Sequence, residues 1–151
     1  MKYRLLKPSD VAKHRIQIVE LMEVVLNDNI TQKYPPNQAE VYVGKIGGYI
    51  EDGSAIVSGA FDNEKLIGFS WAYELSIFGE RRVHIDIIGV NQEYRKQGVA
   101  RNLVDIQIEE TKKRNINILE AMTTKANLNS YNWFHSMGFK DERIKVRRDL
   151  E

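Results

Sequence analysis

Cysteine is absent from this chain of 151 residues. Its absence removes a disulfide framework, a thiol nucleophile and a thiolate metal site together. Histidine is scarce: positions 14, 84 and 135 are scattered rather than spaced as ligands, so no metal is expected. No charge excess exists either, since 22 Lys and Arg face 21 Asp and Glu for a net +1. That balance, with no aromatic and basic stacking motif, speaks against nucleic acid as a partner, although Arg95, Lys96, Arg101 and a basic last strand are local candidates. There is no long apolar run and no signal peptide, which predicts a soluble cytoplasmic protein with no membrane partner. Internal repeats, linkers and low-complexity tracts are also missing, so one domain spanning 1–151 is expected. At this length folding buries about two thirds of the unfolded surface, enough for one core.

The most informative stretch runs from Val83 to Asn102. Its first half alternates, which places Val83, Ile85 and Ile87 on one face of a strand and His84, Asp86 and Ile88 on the other. Its second half, Arg95-Lys96-Gln97-Gly98-Val99-Ala100, is a turn leading into Val99, Leu103 and Ile106, spaced like the buried stripe of a helix. The first backbone N–H groups of a helix lack intrahelical partners, and the macrodipole adds about half a positive charge, so this turn suits an anion. Gly98 lets backbone approach a phosphate closely, and Arg95, Lys96 and Arg101 add mobile positive charge. The loop is neither Gly-x-x-x-x-Gly-Lys-Ser/Thr nor Gly-x-Gly-x-x-Gly, which leaves two common nucleotide loops without support.

The other elements follow from period and punctuation. Lys2 to Lys7 reads as a strand, and Pro8-Ser9-Asp10 stops it and caps a helix to about Leu26 with Ala12, Ile16, Val19, Met22 and Leu26 as its stripe. Asn27-Asp28-Asn29 breaks that helix, and no period is evident up to Pro36. Asn37 and Glu40 form a capping-box pattern for a second helix through Tyr42, Ile46 and Tyr49, although Gly44, Gly47 and Gly48 weaken it. Strands at Ser54 to Phe61 and Leu66 to about Leu75 form a hairpin, and Ser76 to Arg81 turns the chain into the central strand. Asn117 to Met122 is a short strand, parallel to the central one because a helix crosses between them. Asn127 caps a last helix to about Met137, with Gly138 at its C′ position, and Glu142 to Arg148 alternates as a final strand. The expected fold class is therefore α/β (α+β): a mixed, largely antiparallel central sheet flanked by helices.

Arg95, Gly98 and Ala100, after a strand ending Ile88-Gly89-Val90, meet the pattern Arg/Gln-x-x-Gly-x-Gly/Ala. This resembles the coenzyme A pyrophosphate loop of the GNAT superfamily of acyl-CoA N-acyltransferases. Asn127, Ser130, Trp133, Phe134, Gly138 and Phe139 match the late GNAT pattern Asn-x-x-Ala-x-x-Phe-Tyr-x-x-x-Gly-Phe, with Ser130 for Ala and Trp133 for Phe. The two motifs stand in the family's order, and the element order fits across the whole chain. By that resemblance Ile88, Gly89 and Val90 offer backbone to the pantetheine arm, in a V-shaped gap between the parallel strands. The segment Arg95, Lys96, Gln97, Gly98, Val99, Ala100 and Arg101 holds the pyrophosphate, and Asn127, Ser130 and Phe134 flank the same arm. The loop after the first helix would help form the acceptor side. One departure stands out: the family often has a Tyr where Phe134 is, to protonate the leaving thiolate, and Phe cannot do so.

The implied activity is transfer of an acetyl group from acetyl-CoA, as co-substrate, to a primary amine by direct attack. A lysine-like amine is neutral in only about one molecule in 2,500 at pH 7, equivalent to roughly 4.6 kcal/mol, so a base is needed. His84 and Asp86 share a face of the central strand where the family places a Glu or His; His84 is assigned as base, Asp86 as its orienter or relay, and Tyr131 as the nearby hydroxyl that could stand in for the missing acid. The same pair would also serve as a hydrogen-bonded sheet histidine and a structural ion pair. Tyr34, Tyr42, Trp71, Tyr73 and Glu74, with Asp28, are candidates for the acceptor pocket, though aromatics in a sheet are commonly core. The acceptor is a small-molecule or protein amine, and a homodimer is an open alternative. A non-catalytic acyl-CoA-binding module is the competing reading, encouraged by Phe134.

Overall fold

Lys2–Leu5 (β1), Ala55–Asp62 (β2), Lys65–Ile77 (β3), Glu80–Val90 (β4) and Leu119–Ala121 (β5) form one sheet in the order β1-β2-β3-β4-β5. The first four are antiparallel neighbours, and β5 runs parallel to β4 with Val83, His84 and Ile85 opposite Leu119, Glu120 and Ala121. The parallel pair follows from the crossover helix Val99–Lys113 (α4), as expected. Helices Pro8–Lys13 (α1), Arg15–Asn27 (α2), Gln38–Glu51 (α3) and Leu128–Ser136 (α5) complete the layers. This computed structural model describes residues 1–28 and 32–150; Asn29 of the expected break lies outside the described residues. Among the described residues no helix is long and apolar enough to cross a membrane.

One core cluster joins α1, α2 and α3 to one face of the sheet through Val11, Ile18, Leu21, Met22, Val43, Ile46, Val57, Phe69 and Trp71. Val83, Ile85, Val104 and Ile116 pack with α4 and α5 on the other face. Gln107 is fully buried there, its amide oxygen accepting from Ser70 Oγ at 3.1 Å while its amide nitrogen donates to the Ile56 carbonyl at 3.4 Å. A buried amide so bonded fixes the roll of α4 against β2 and β3, because any rotation would strand both polar ends.

Several sequence expectations require correction. The first helix is two helices meeting at His14, and its buried stripe is Val11, His14, Ile18, Leu21 and Met22, whereas Ala12 is exposed and Ile16 is 71% exposed. The shift arises because His14 belongs to the core, its ring 5.4 Å from Phe61 in an edge contact, and burial lowers its pKa. Asn37 occupies the N-cap of α3 but makes no side-chain cap bond, since its φ of 64° departs from the extended cap geometry. The α4 stripe runs through Val99, Leu103, Gln107 and Thr111, with Ile106 only half-buried. Glu142 to Arg148 is not a strand: alternation was present, but Ile144 and Val146 stay 79% and 87% exposed and no neighbouring strand pairs with the segment.

The central strand also departs from simple alternation. Trp71 faces Ile87 and Ala72 faces Ile85, so Asp86 is an extra residue in a β-bulge. Beyond the bulge the faces exchange. Ile87 packs with the α1 to α3 cluster, while Val83, Ile85 and Ile88 pack on the α4 side, so Val83, Ile85 and Ile87 do not share one face.

Candidate active site

Pairing between β4 and β5 ends at Ile85 and Ala121, yet β4 continues to Val90. A cleft of about 380 Å³ opens beyond that point. Ile88 and Val90 form one wall, residues 94 to 96 and 98 to 101 another, and Asn129, Ser130, Trp133 and Phe134 of α5 the third.

The loop reaches the cleft by a succession of local bonds. Asn91 Oδ1 accepts from the Glu93 N–H at 3.0 Å and shapes a short 3-10 turn over Gln92–Tyr94. Tyr94 donates its hydroxyl to Asp62 at 2.7 Å, tying the loop to the end of β2. Gly98 then takes φ 78° as the N-cap of α4. A Cβ there would meet only the Asn102 amide at 3.9 Å, so backbone conformation rather than room inside the protein asks for glycine. No side chain caps α4, and its first turn carries no acidic residue. Its opening N–H groups are therefore free to meet an anion, and Arg95, Lys96 and Arg101 stand around them.

Of the residues expected to hold the coenzyme, Ile88, Val90, Arg95, Lys96, Gly98, Val99, Ala100, Arg101, Ser130 and Phe134 line this cleft. Gly89 does not: it is buried, and a Cβ on it would come within 3.3 Å of the Leu21 carbonyl and 3.2 Å of Phe69, so it lets α2 pack on β4. Gln97 turns back to the Glu93 carbonyl at 3.1 Å, and Asn127 acts as a cap, its Oδ1 accepting from the Ser130 N–H at 3.2 Å. Tyr94 and Asn129 join the lining without having been singled out, and so does Trp133, named only as a position of the late motif.

Further down β4 lies a cluster of titratable side chains. His84 is 8% exposed, its ring centroid 5.3 Å from that of Tyr73, and its Nδ1 is 2.8 Å from Glu120 Oε2. The carboxylate hydrogen-bonded to His84 is thus Glu120 on β5; Asp86, expected as its orienter or relay, is the extra residue of the bulge and makes no such bond. Asp86 is exposed overall, but the atoms crowded around its carboxyl partly desolvate it and raise its pKa, while His84 acts the other way. Tyr73 is pushed up by burial, reinforced by Asp86 and Glu120. Glu120 also meets Arg82, a buried guanidinium that Glu80 and Glu142 contact as well. Neither Glu120 nor Arg82 carries a sequence signal of its own; only the parallel pairing of β4 and β5 sets Glu120 opposite His84.

On α5, Phe134 packs edge-on to Trp133 and Phe139 with centroids 5.0 and 5.1 Å away. The Tyr131 hydroxyl donates to Asp141 at 2.7 Å, and Asp141 also meets His135 Nε2 at 2.8 Å. Bonding to Asp141 raises the Tyr131 pKa, and Tyr131 is not among the residues that line the cleft. Of the acceptor candidates, Trp71 is buried against Tyr42 and Tyr49, with ring centroids 6.3 and 6.1 Å away, while Glu74 pairs with Arg81 and Arg114. Asp28 caps the end of α2. Among the described residues no group of three or more His, Asp or Glu could hold a metal ion.

Comparison with known proteins agrees with this architecture. The family model for the acetyltransferase (GNAT) family matches residues 20–139. No curated protein matches the sequence. Among solved structures, a predicted acetyltransferase from Clostridium acetobutylicum with acetyl-CoA is 17% identical, with TM-score 0.76 over 99% of this chain and 96% of that one. An aminoglycoside acetyltransferase from an uncultured soil metagenomic sample, in complex with trehalose, is 16% identical with TM-score 0.75 over 99% and 96%. A ribosomal-protein-alanine N-acetyltransferase from Brucella melitensis biovar Abortus is 17% identical with TM-score 0.72 over 99% of both chains. At such identities these structures speak for the fold, and the match to the family model over most of the chain establishes that it belongs to the acetyltransferase (GNAT) family.

Proposed function

We propose that the chain, acting as one domain over 1–151, transfers an acetyl group from acetyl-CoA to a primary amine by direct attack. The observation that carries this reading is the uncapped N-terminus of α4, ringed by Arg95, Lys96 and Arg101, at the mouth of a cleft that runs between β4 and α5. The thioester co-substrate supplies an activated acetyl group. Amides from Gln97 to Arg101 bind its pyrophosphate, and Ile88 and Val90 border its pantetheine arm, with Ser130 and Phe134 opposite. His84 lies four residues before Ile88 along β4, about 13 Å by strand rise, in the stretch paired with β5 just short of where the gap opens.

His84 takes one proton from the substrate ammonium, directly or through water, and the neutral amine then attacks the thioester carbonyl; as the new C–N bond forms and the C–S bond breaks, the nitrogen gives its second proton to solvent. The departing thiolate leaves with the electron pair and gains its proton from solvent. A thiol with pKa near 8.5 is a tolerable leaving group, so that proton matters less than the one removed from the amine. Asp86, with its raised pKa, is a secondary proton acceptor at the entrance. The structural neighbours named for an aminoglycoside and for a ribosomal-protein alanine favour an amine acceptor, either a small molecule or a protein amine. A cytoplasmic location is part of the same proposal.

A second reading is a non-catalytic acyl-CoA-binding module. It is favoured by Phe134 in place of the family tyrosine and by the engagement of Tyr131 with Asp141. Free-thiol release from acetyl-CoA across an amine panel, with coenzyme binding measured separately, distinguishes them. Turnover on one or more amines supports transfer; tight binding without turnover on any amine supports the module.

A further inference from the structure

Arg82 is 6% exposed, and its guanidinium is shared among carboxylates from three segments. Nε meets Glu80 at 2.8 Å on its own strand, while Nη1 meets Glu120 Oε1 of β5 at 3.3 Å and Glu142 Oε2 of the closing segment at 2.6 Å. The other oxygen of Glu120 is the one 2.8 Å from His84 Nδ1. A continuous line of charge-assisted bonds therefore runs Glu142, Arg82, Glu120, His84. A buried arginine needs compensation, and its planar fork holds a carboxylate in one orientation better than a flexible ammonium would. β5 has only three residues and a single sheet neighbour, so little else orients the Glu120 side chain.

We propose that Glu120, held by Arg82 and Glu142, is a positioning residue that keeps His84 in its Nδ1–H tautomer and leaves the lone pair on Nε2 for the amine. An ionised carboxylate only accepts hydrogen bonds, so the ring nitrogen facing it must carry the proton. This assignment follows from the chemistry of the pair and not from hydrogen positions. The inference rests on the reading of His84 as the base. The closing segment, which joins no sheet, thereby acquires a role through one side chain. Tyr73 of β3, Asp86 and Arg82 of β4 and Glu120 of β5 are the titratable groups that surround His84.

The test combines nitrogen NMR of histidine-labelled protein, at a pH where the His84 ring is neutral, with steady-state kinetics. The wild-type protein should show His84 protonated at Nδ1. Glu120→Gln offers an amide donor in place of the carboxylate and should move the proton to Nε2, with turnover down about tenfold to a hundredfold and the KM for acetyl-CoA unchanged. Glu120→Ala, which removes the acceptor without adding a donor, should also lose the Nδ1–H preference and provides the same readout if the first variant does not fold. Glu142→Gln should lower turnover two- to fivefold in the wild-type background and have no further effect in Glu120→Gln, as coupled residues behave. A wild-type Nδ1–H signature in both Glu120 variants overturns the proposal, and additive losses for Glu142 remove the closing segment from it. A shifted tautomer with unchanged turnover would keep the positioning and overturn His84 as the base.

Discussion

The Arg95 to Arg101 loop, proposed to bind the coenzyme, and the His84 cluster sit on the same strand-loop-helix unit but are built from different material. The loop works with backbone: Gln97 and Gly98 are exposed, and Arg95 and Lys96 reach solvent from a chain path set by Asn91, Tyr94 and a left-handed Gly98. The cluster works with buried side chains, His84 and Arg82 being 8% and 6% exposed. A site made of amides tolerates changes of side chain and fails when the backbone is bent; a site made of side chains behaves in the opposite way.

The sharpest separation comes from His84→Ala. It should lower turnover by about 10² or more while leaving acetyl-CoA affinity nearly intact, as removal of a general base does. A pH–rate profile unchanged by the substitution would take His84 out of the mechanism. The loop provides the converse. Gly98→Val forces a β-branched residue to φ 78° and should weaken acetyl-CoA binding about ten- to a hundredfold, whereas Lys96→Ala, which removes one solvent-screened charge, should cost less than about threefold. Calorimetry on both variants reads this directly, and equal losses would break the distinction between backbone and side-chain binding.

α5 lines the cleft with Asn129, Ser130, Trp133 and Phe134, and the proposed function gives it a binding rather than a chemical part. Tyr131→Phe should therefore reduce turnover less than about tenfold, and Phe134→Tyr should keep activity. A hundredfold loss for Tyr131→Phe with coenzyme affinity intact would show a committed acid on that helix. The smallest effect lies outside both regions. The Arg4 guanidinium and the Lys7 N–H hold Asp10 down to about 2. Because its folded pKa is below the unfolded value near 3.9, Asp10 stabilises the fold above pH 4, and that contribution fades as pH falls toward 2. Acid denaturation of Asp10→Asn should show about 1 kcal/mol less stability near neutrality than wild type and a smaller loss across that window, with turnover and coenzyme affinity unchanged.

Much of the arrangement was legible in residue order. Two strand-like stretches in succession give the hairpin, Gly98 marks the turn, and a helix between two strands dictates their parallel pairing. What escaped was non-local. Asp86 bulges because of how β3 and β4 register, and nothing in its neighbours announces that. His14 has no apolar side chain to mark it for the stripe, yet Phe61 makes it core. Glu120 became the partner of His84 only through strand pairing, and Gln107 became a core residue only through Ser70 and Ile56. Residues 142 to 148 had the period of a strand, but period says nothing about whether a neighbour exists to pair with it.

That closing segment carries Arg143, Lys145, Arg147 and Arg148 on a stretch without regular secondary structure, beside bare Ile144 and Val146. A trypsin-like protease needs several residues of extended backbone to seat its substrate, and here they are presented without unfolding anything. Limited digestion of the native protein should first shed the residues after Arg143. The cut falls one residue beyond Glu142, so the trimmed protein would keep the anchor on Arg82 while losing its basic, apolar tail.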